Sequence, residues 1–170
     1  MKIYLATDHA GFELKQKIKT FLLSQNYEVI DCGATSFNPN DDYPDFISVA
    51  AESVSKDPDN SRGIIFGGSG QAEMMTANKF KNVRCALFYS TATPISAADI
   101  SGRESSDPLE IIRLTREHNN SNMLSIAARF VTEELAKEAI DKWLTALFTN
   151  EKRHIRRIEK IKEIEKNLDK

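Results

Sequence analysis

The sequence predicts an α/β fold with a parallel sheet and helices on both of its faces. Two observations carry that prediction. Short apolar runs of strand length alternate with amphipathic stretches of helical period. A glycine-rich turn also leads directly from one apolar run into a helix. Right-handed crossovers between parallel strands then distribute the helices over both faces.

Lys2-Ile3-Tyr4-Leu5-Ala6-Thr7 reads as a first, buried strand. Residues 11–25 follow, with apolar positions at Phe12, Leu14, Ile18, Leu22 and Leu23 close to helical spacing. Tyr27-Glu28-Val29-Ile30 is the second strand, ending at Asp31-Cys32-Gly33. Residues 44–55 form the second helix, with Pro44 in its first turn, where a missing N–H costs nothing. Gly63-Ile64-Ile65-Phe66 is the third strand, followed by the turn Gly67-Gly68-Ser69-Gly70 and a helix through about Lys79. Val83 to Phe88 is the fourth strand and Met123 to Ala127 the fifth. A helix over 132–148 closes the domain, with Thr132 as its N-cap and Glu133 and Glu134 in its first turn.

Two segments break this rhythm. Residues 89–108 are rich in Ser, Ala and Pro and lack a clear period, so they read as a long loop with room for one short helix. Residues 151–170 are nearly all charged, apart from a narrow stripe of Ile155, Ile158, Ile161, Ile164 and Leu168 at helical spacing. Such a stripe suits a helix laid against its own domain and equally a helix packed across a dimer.

The chain has 170 residues, hydrophobic residues are 41% and charged residues 28%, which is enough for one ordinary core. The net charge of -2 favours neither nucleic acid nor an anionic membrane, so a bound anion would need a local cluster of basic groups. Cys32 and Cys85 match no metal-ligand spacing and read as buried free thiols in a reducing compartment, hence a cytoplasmic protein. The N-terminus lacks the long apolar run of a signal peptide or membrane span.

In open parallel sheets the ligand site lies beyond the C-terminal ends of the strands. That rule singles out Asp8-His9, Cys32-Gly33, Gly67 to Gly70 and the segment after Phe88. The Gly67–Gly70 turn could cradle an oxyanion on backbone N–H groups at a helix start, although tight αβ turns are also glycine-rich for packing. Glu73 falls at the third position of the helix that follows. There it could complete a cap, or act as a general base beside Ser69 and the N–H groups of Gly70 and Gln71. Asp8-His9 fits a loop hydrogen bond or a ligand contact, and His118 a structural or a proton-moving role. No spacing of the three histidines suggests a metal. Arg153 and Arg157, four residues apart, share a helix face that could be merely solvated or could hold a phosphate together with Arg129.

Together these motifs resemble the type B ribose-5-phosphate isomerases and their allose- and galactose-6-phosphate isomerase relatives. The resemblance rests on TDHAGFELK (7–15), EVIDCG (28–33), DDYPDF (41–46), GIIFGGSGQAEMMTANKF (63–80), REHNNSN (116–122), AARF (127–130) and RHIRRI (153–158). It implies a Rossmann-like three-layer sandwich with a five-stranded parallel sheet and an extended C-terminal helix. It implies an isomerase domain over 1–150 with an insertion at about 89–110, and a helix over 151–170 that serves the phosphate site and the dimer. A homodimer or dimer of dimers is implied, with the active site between subunits and with neither metal nor organic cofactor.

The substrate implied is a phosphorylated sugar. Where many members carry a cysteine base this chain has Gly67, and it resembles those members that read GGSG with a Glu three residues on. The resemblance then assigns Glu73 as base, and Ser69, Gly70 and Gln71 as the groups that stabilise the enediolate. It assigns His118 to ring opening with Asp8 and Asn119 nearby. His9, Arg129, Arg153 and Arg157 are assigned to the phosphate, and Asp42 and Tyr43 to the border of the sugar.

The chain departs from the family in the path from Phe88 to His118, which is longer by more than a dozen residues. Asn150-Glu151-Lys152 also replaces the usual glycines before Arg153. These departures keep two alternatives open: a hexose 6-phosphate isomerase and a non-catalytic sugar-phosphate-binding protein.

Overall fold

The computed structural model describes residues 1–168. Five parallel strands form one sheet: β1 (Lys2–Thr7), β2 (Glu28–Asp31), β3 (Ser61–Gly67), β4 (Cys85–Phe88) and β5 (Met123–Ala127). Their order across the sheet is β2-β1-β3-β5-β4. The register pairs Lys2 with Ser61 and Thr7 with Phe66, so β1 and β3 end at the same edge. Gly67 pairs with Ala127, which brings the end of β5 to that edge too.

The helices are α1 (Phe12–Ser24), α2 (Tyr43–Lys56), α3 (Gln71–Ala77), α4 (Glu110–Asn119), α5 (Glu133–Thr145) and α6 (Lys152–Leu168). Side chains alternate across a strand, and the core divides accordingly. Ile3, Leu5, Ile64 and Phe66 pack with Ile18 and Leu22 of α1, Ile112 of α4 and Ile140 and Trp143 of α5. Ala6 and Ile65 point the other way, onto Ile47, Ala50 and Val54 of α2 and Ala77 of α3. The result is the expected three-layer arrangement. Thr132 caps α5 by accepting from the Leu135 N–H at 3.2 Å. Among the described residues no helix is long and apolar enough to cross a membrane.

The structure refines three expectations. The 89–108 stretch contains no helix; the regular element lies after it, as α4, which the sequence reading left unassigned. Its period is hidden because α4 buries polar side chains: Glu110 is fully buried and Arg116 is 5% exposed. The excursion is held to α4 by ions. Arg103 Nη2 donates to Glu110 Oε1 at 2.8 Å and to Glu117 Oε2 at 2.9 Å, while Arg113 Nη2 donates to Glu110 Oε2 at 2.6 Å. Second, Cys85 is buried but Cys32 is only half-buried; burial pushes the Cys32 thiol up to about 11. Third, the C-terminal stripe divides. Ile155 and Ile158 are partly covered as α6 packs on α4, while Ile161 and Ile164 remain exposed along a groove. The side chain of Leu168 lies outside the described residues.

Candidate active site

The C-terminal edge of the sheet gathers the first group of side chains. Asp8 follows β1 directly, and its Oδ1 accepts from the Ala10 N–H at 2.9 Å, closing the short turn that leads into α1. That bond holds the Asp8 carboxylate in place, 6% exposed. His9 is fixed by Asp41, which precedes α2. Asp41 Oδ1 accepts from the His9 backbone N–H at 2.9 Å and lies 2.8 Å from Nδ1. This hydrogen bond raises the His9 pKa above its ordinary value despite the opposing effect of desolvation, and Asp8 adds to the rise.

Glu73 stands above the next strand. Gly70 adopts φ 71°, and a side chain there would strike Leu87 and Ser125, so only glycine makes this turn. Ser125 Oγ, buried on β5, donates to the Gly70 carbonyl at 2.7 Å and pins the turn from below. Glu73 then falls in the first turn of α3 and is 5% exposed. It makes no reciprocal cap; its carboxyl turns toward the backbone of Gly67 instead. Burial pushes its pKa up, and the negative charge of Asp8 pushes the same way. A carboxylate with a raised pKa beside backbone donors is suited to taking a proton from carbon. Ser69 Oγ accepts weakly from the Gln71 N–H at 3.5 Å and is free to turn toward a ligand. Arg129 borders the same turn: its guanidinium would lie 3.2 Å from a Cβ on Gly68, and its own N–H bonds the Gly68 carbonyl at 3.2 Å.

The second group lies at the opposite edge. His118 and Asn119 end α4, just before β5 begins, and the Asn119 carbonyl accepts from Arg84 Nε at 3.0 Å beside the start of β4. A five-residue strand separates the two edges by roughly 17 Å. His118 and Arg157 line a groove of about 530 Å³ between α4, β4 and α6, together with Ile158, Ile161 and Ile164. The groove contains none of the first group. Arg153, one turn before Arg157, bonds Glu151 Oε2 at 2.7 Å through Nε.

The expected site residues thus form two sets in one chain. Asp8, His9, Ser69, Gly70, Gln71, Glu73 and Arg129 share the C-terminal edge of the sheet. His118, Asn119, Arg153 and Arg157 gather around α4 and α6. Asp42 is exposed at the start of α2, and Tyr43 packs against the core on the α2 side. Asp41, not Asp42, reaches His9. Sequence reasoning missed Asp41, Ser125 and His154, because each acts by contacting another side chain or turn and has no motif of its own. Asp8, His9 and Asp41 each offer one ligand atom within 4.8 Å of one another, the one grouping among the described residues with spacing for a metal ion. The bond between His9 and Asp41 already engages Nδ1 of the histidine.

Known proteins match this chain over nearly its whole length. A family model described as Ribose/Galactose Isomerase matches residues 3–101 and 106–161, so its one interruption falls inside the 89–109 excursion. Ribose-5-phosphate isomerase B of Mycolicibacterium paratuberculosis is 40% identical over 166 residues, covering 98% of this chain and 92% of that protein. The crystal structure of ribose-5-phosphate isomerase B from Mycoplasma genitalium with bound ribulose-5-phosphate superposes with a TM-score of 0.84 at 36% identity, covering 97% of this chain and 96% of that one. The enzyme of the same name from Clostridium thermocellum gives 0.82 at 37% identity, covering 99% of both chains.

Proposed function

The chain belongs to the ribose/galactose isomerase family, and from that premise we propose that Glu73 is the base with which it interconverts D-ribose 5-phosphate and D-ribulose 5-phosphate through a cis-enediolate. It is an isomerase of the ribose-5-phosphate type. The observation that carries the choice of Glu73 is its buried carboxyl above Gly67, beside Asp8 and the Ser69–Gly70 turn.

In this reading His118 protonates the ring oxygen as the C1–O4 bond breaks, the C1 hydroxyl releases its proton to solvent, and the furanose opens to the aldehyde. Glu73 then removes the proton from C2, and the C2–H electrons form the C1–C2 double bond of the enediolate. Ser69 Oγ and the N–H groups of Gly70 and Gln71 receive the negative charge that develops on O1. The O2 proton passes to O1, Glu73 returns its proton to C1, and C2 becomes the ketone. His9, Arg129, Arg153 and Arg157 hold the phosphate and fix the reacting carbons against the base.

One chain places these two groups at opposite edges of its sheet, so the complete site needs two copies. A two-fold pair would set the α4–α6 corner of one copy against the strand ends of the other. The exposed Ile161 and Ile164 supply apolar surface for such a contact. The 89–109 excursion favours a second reading, in which a hexose 6-phosphate is the substrate.

Complementation tests the composite site. Glu73→Gln and His118→Ala homo-oligomers are each expected to be inactive on ribose 5-phosphate. Unfolding, mixing in equal amounts and refolding them should restore activity at about a quarter of the sites, because half the dimers are mixed and each carries one intact pair. Failure of an active mixture to appear, with mixed dimers present, overturns the shared site. A comparison of kcat/KM on ribose 5-phosphate and allose 6-phosphate decides the substrate.

A further inference from the structure

The imidazoles of His118 and His154 are stacked, their centroids 4.3 Å apart and their planes 12° from parallel. His154 lies in the first turns of α6, is 3% exposed, and its Nε2 is buried without a hydrogen-bond partner. A buried polar atom with no partner costs stability, and an aliphatic side chain would fill the place without that cost. What the histidine offers is a flat ring pressed against the face of His118. We propose that His154 is a positioning residue that fixes the ring plane of His118 for opening the sugar ring. The inference rests on the ring-opening role given to His118 above.

Three features support it. The stack joins α6 to the end of α4, two elements that otherwise touch only lightly, so it sets where the His118 ring can go. The charged groups facing His154 are His118, Arg153, Arg157 and Glu151; three of these disfavour a charge on it, and the Glu151 carboxylate is 3.8 Å from Nε2. Burial, His118 and the arginines hold the His154 pKa below the ordinary imidazole value. His154 therefore stays neutral and adds no charge of its own against the face of His118.

The chemistry of the two substrates gives a test that ordinary structural damage would not mimic. Ribose 5-phosphate is mostly a closed furanose and must be opened. Ribulose 5-phosphate has its O5 phosphorylated and cannot close such a ring. Exchange of its C1 proton with solvent therefore needs Glu73 but not ring opening. His154→Ala is expected to lower kcat/KM on ribose 5-phosphate by about tenfold or more, while C1 proton exchange in ribulose 5-phosphate stays within about twofold. His154→Phe, which keeps a flat ring in the same place, is expected to recover most of the loss. Equal decline of both reactions, or unchanged ribose 5-phosphate turnover in His154→Ala, overturns the proposal. His118→Ala is measured beside them. If it too leaves ribose 5-phosphate turnover intact, the ring-opening assignment has failed; if it is impaired while His154→Ala is not, only the positioning role has.

Discussion

The Glu73 carboxyl lies so close over Gly67 that a Cβ on residue 67 would fall 1.9 Å from the Glu73 Cδ. One chain therefore has room for a side chain at position 67 or for the carboxyl of residue 73, but not for both in this place. The absence of a side chain at 67 is what lets the carboxyl of Glu73 reach the strand ends. Gly67→Ala is expected to displace a flexible carboxyl without breaking backbone packing. The expected result is a fall in kcat on the order of 100-fold with a melting temperature close to that of the parent. Steady-state kinetics and thermal unfolding measured on one preparation check this.

The raised pKa of Glu73 has a direction in both activity and stability. Activity should fall as pH drops through the folded value, because the protonated acid cannot accept a proton. For stability the folded pKa lies above the unfolded one, so this group's contribution is fully present below the unfolded value and is lost as pH rises through the folded value. Glu73→Gln removes that loss. The variant is expected to be nearly inactive, yet more stable than the parent at neutral pH and equally stable in acid. Denaturation across the pH range from 4 to 8, run on both proteins, would contradict this if the two curves stayed parallel.

Asp41 raises the His9 pKa chiefly through the hydrogen bond between them. His9 thus keeps its proton to a higher pH than a free imidazole, which in the proposed phosphate role prolongs its attraction for the anion. In Asp41→Asn that support is gone. KM for the sugar phosphate is expected to begin its rise with pH at a lower pH than in the parent, with kcat changed less. The pair also contributes stability that is present below the unfolded His value and disappears as pH rises through the folded one. An NMR titration of His9 in both proteins reads the shift directly.

Arg103 ties the 89–109 excursion to Glu110, which is fully buried and also held by Arg113 and Ser105. Burial alone would raise the Glu110 pKa, but the hydrogen bonds from Arg113 and Ser105 and the charges of Arg113 and Arg103 outweigh it, and the net shift is downward. Stability from this carboxylate is therefore present above the unfolded Glu value and lost as pH falls through the folded one. Arg103→Ala leaves two of the three partners in place, and a cost of about 1–3 kcal/mol is expected. Urea denaturation gives the number. Faster proteolytic cutting within residues 92–102 should accompany it, and resistance equal to the parent's would show that the excursion is held by something else.

Periodicity alone determined the strands, most helices and the edge at which a ligand meets the sheet, because local apolar spacing and glycine turns dictate those features directly. Thr132 and the Gly67–Gly70 turn were legible in the same way, as residues whose backbone role follows from their type. Only the tertiary structure disclosed α4, since Glu110 and Arg116 are polar side chains buried by pairing with Arg103, Ser105, Arg113, Asn120 and Ser121, and they erase the apolar period. Tertiary packing likewise decided that Asp41, not Asp42, holds His9, that Ser125 pins the Gly70 carbonyl, and that His154 stacks on His118. Those contacts join residues 32 to 55 positions apart, and no local pattern encodes which distant side chain will arrive.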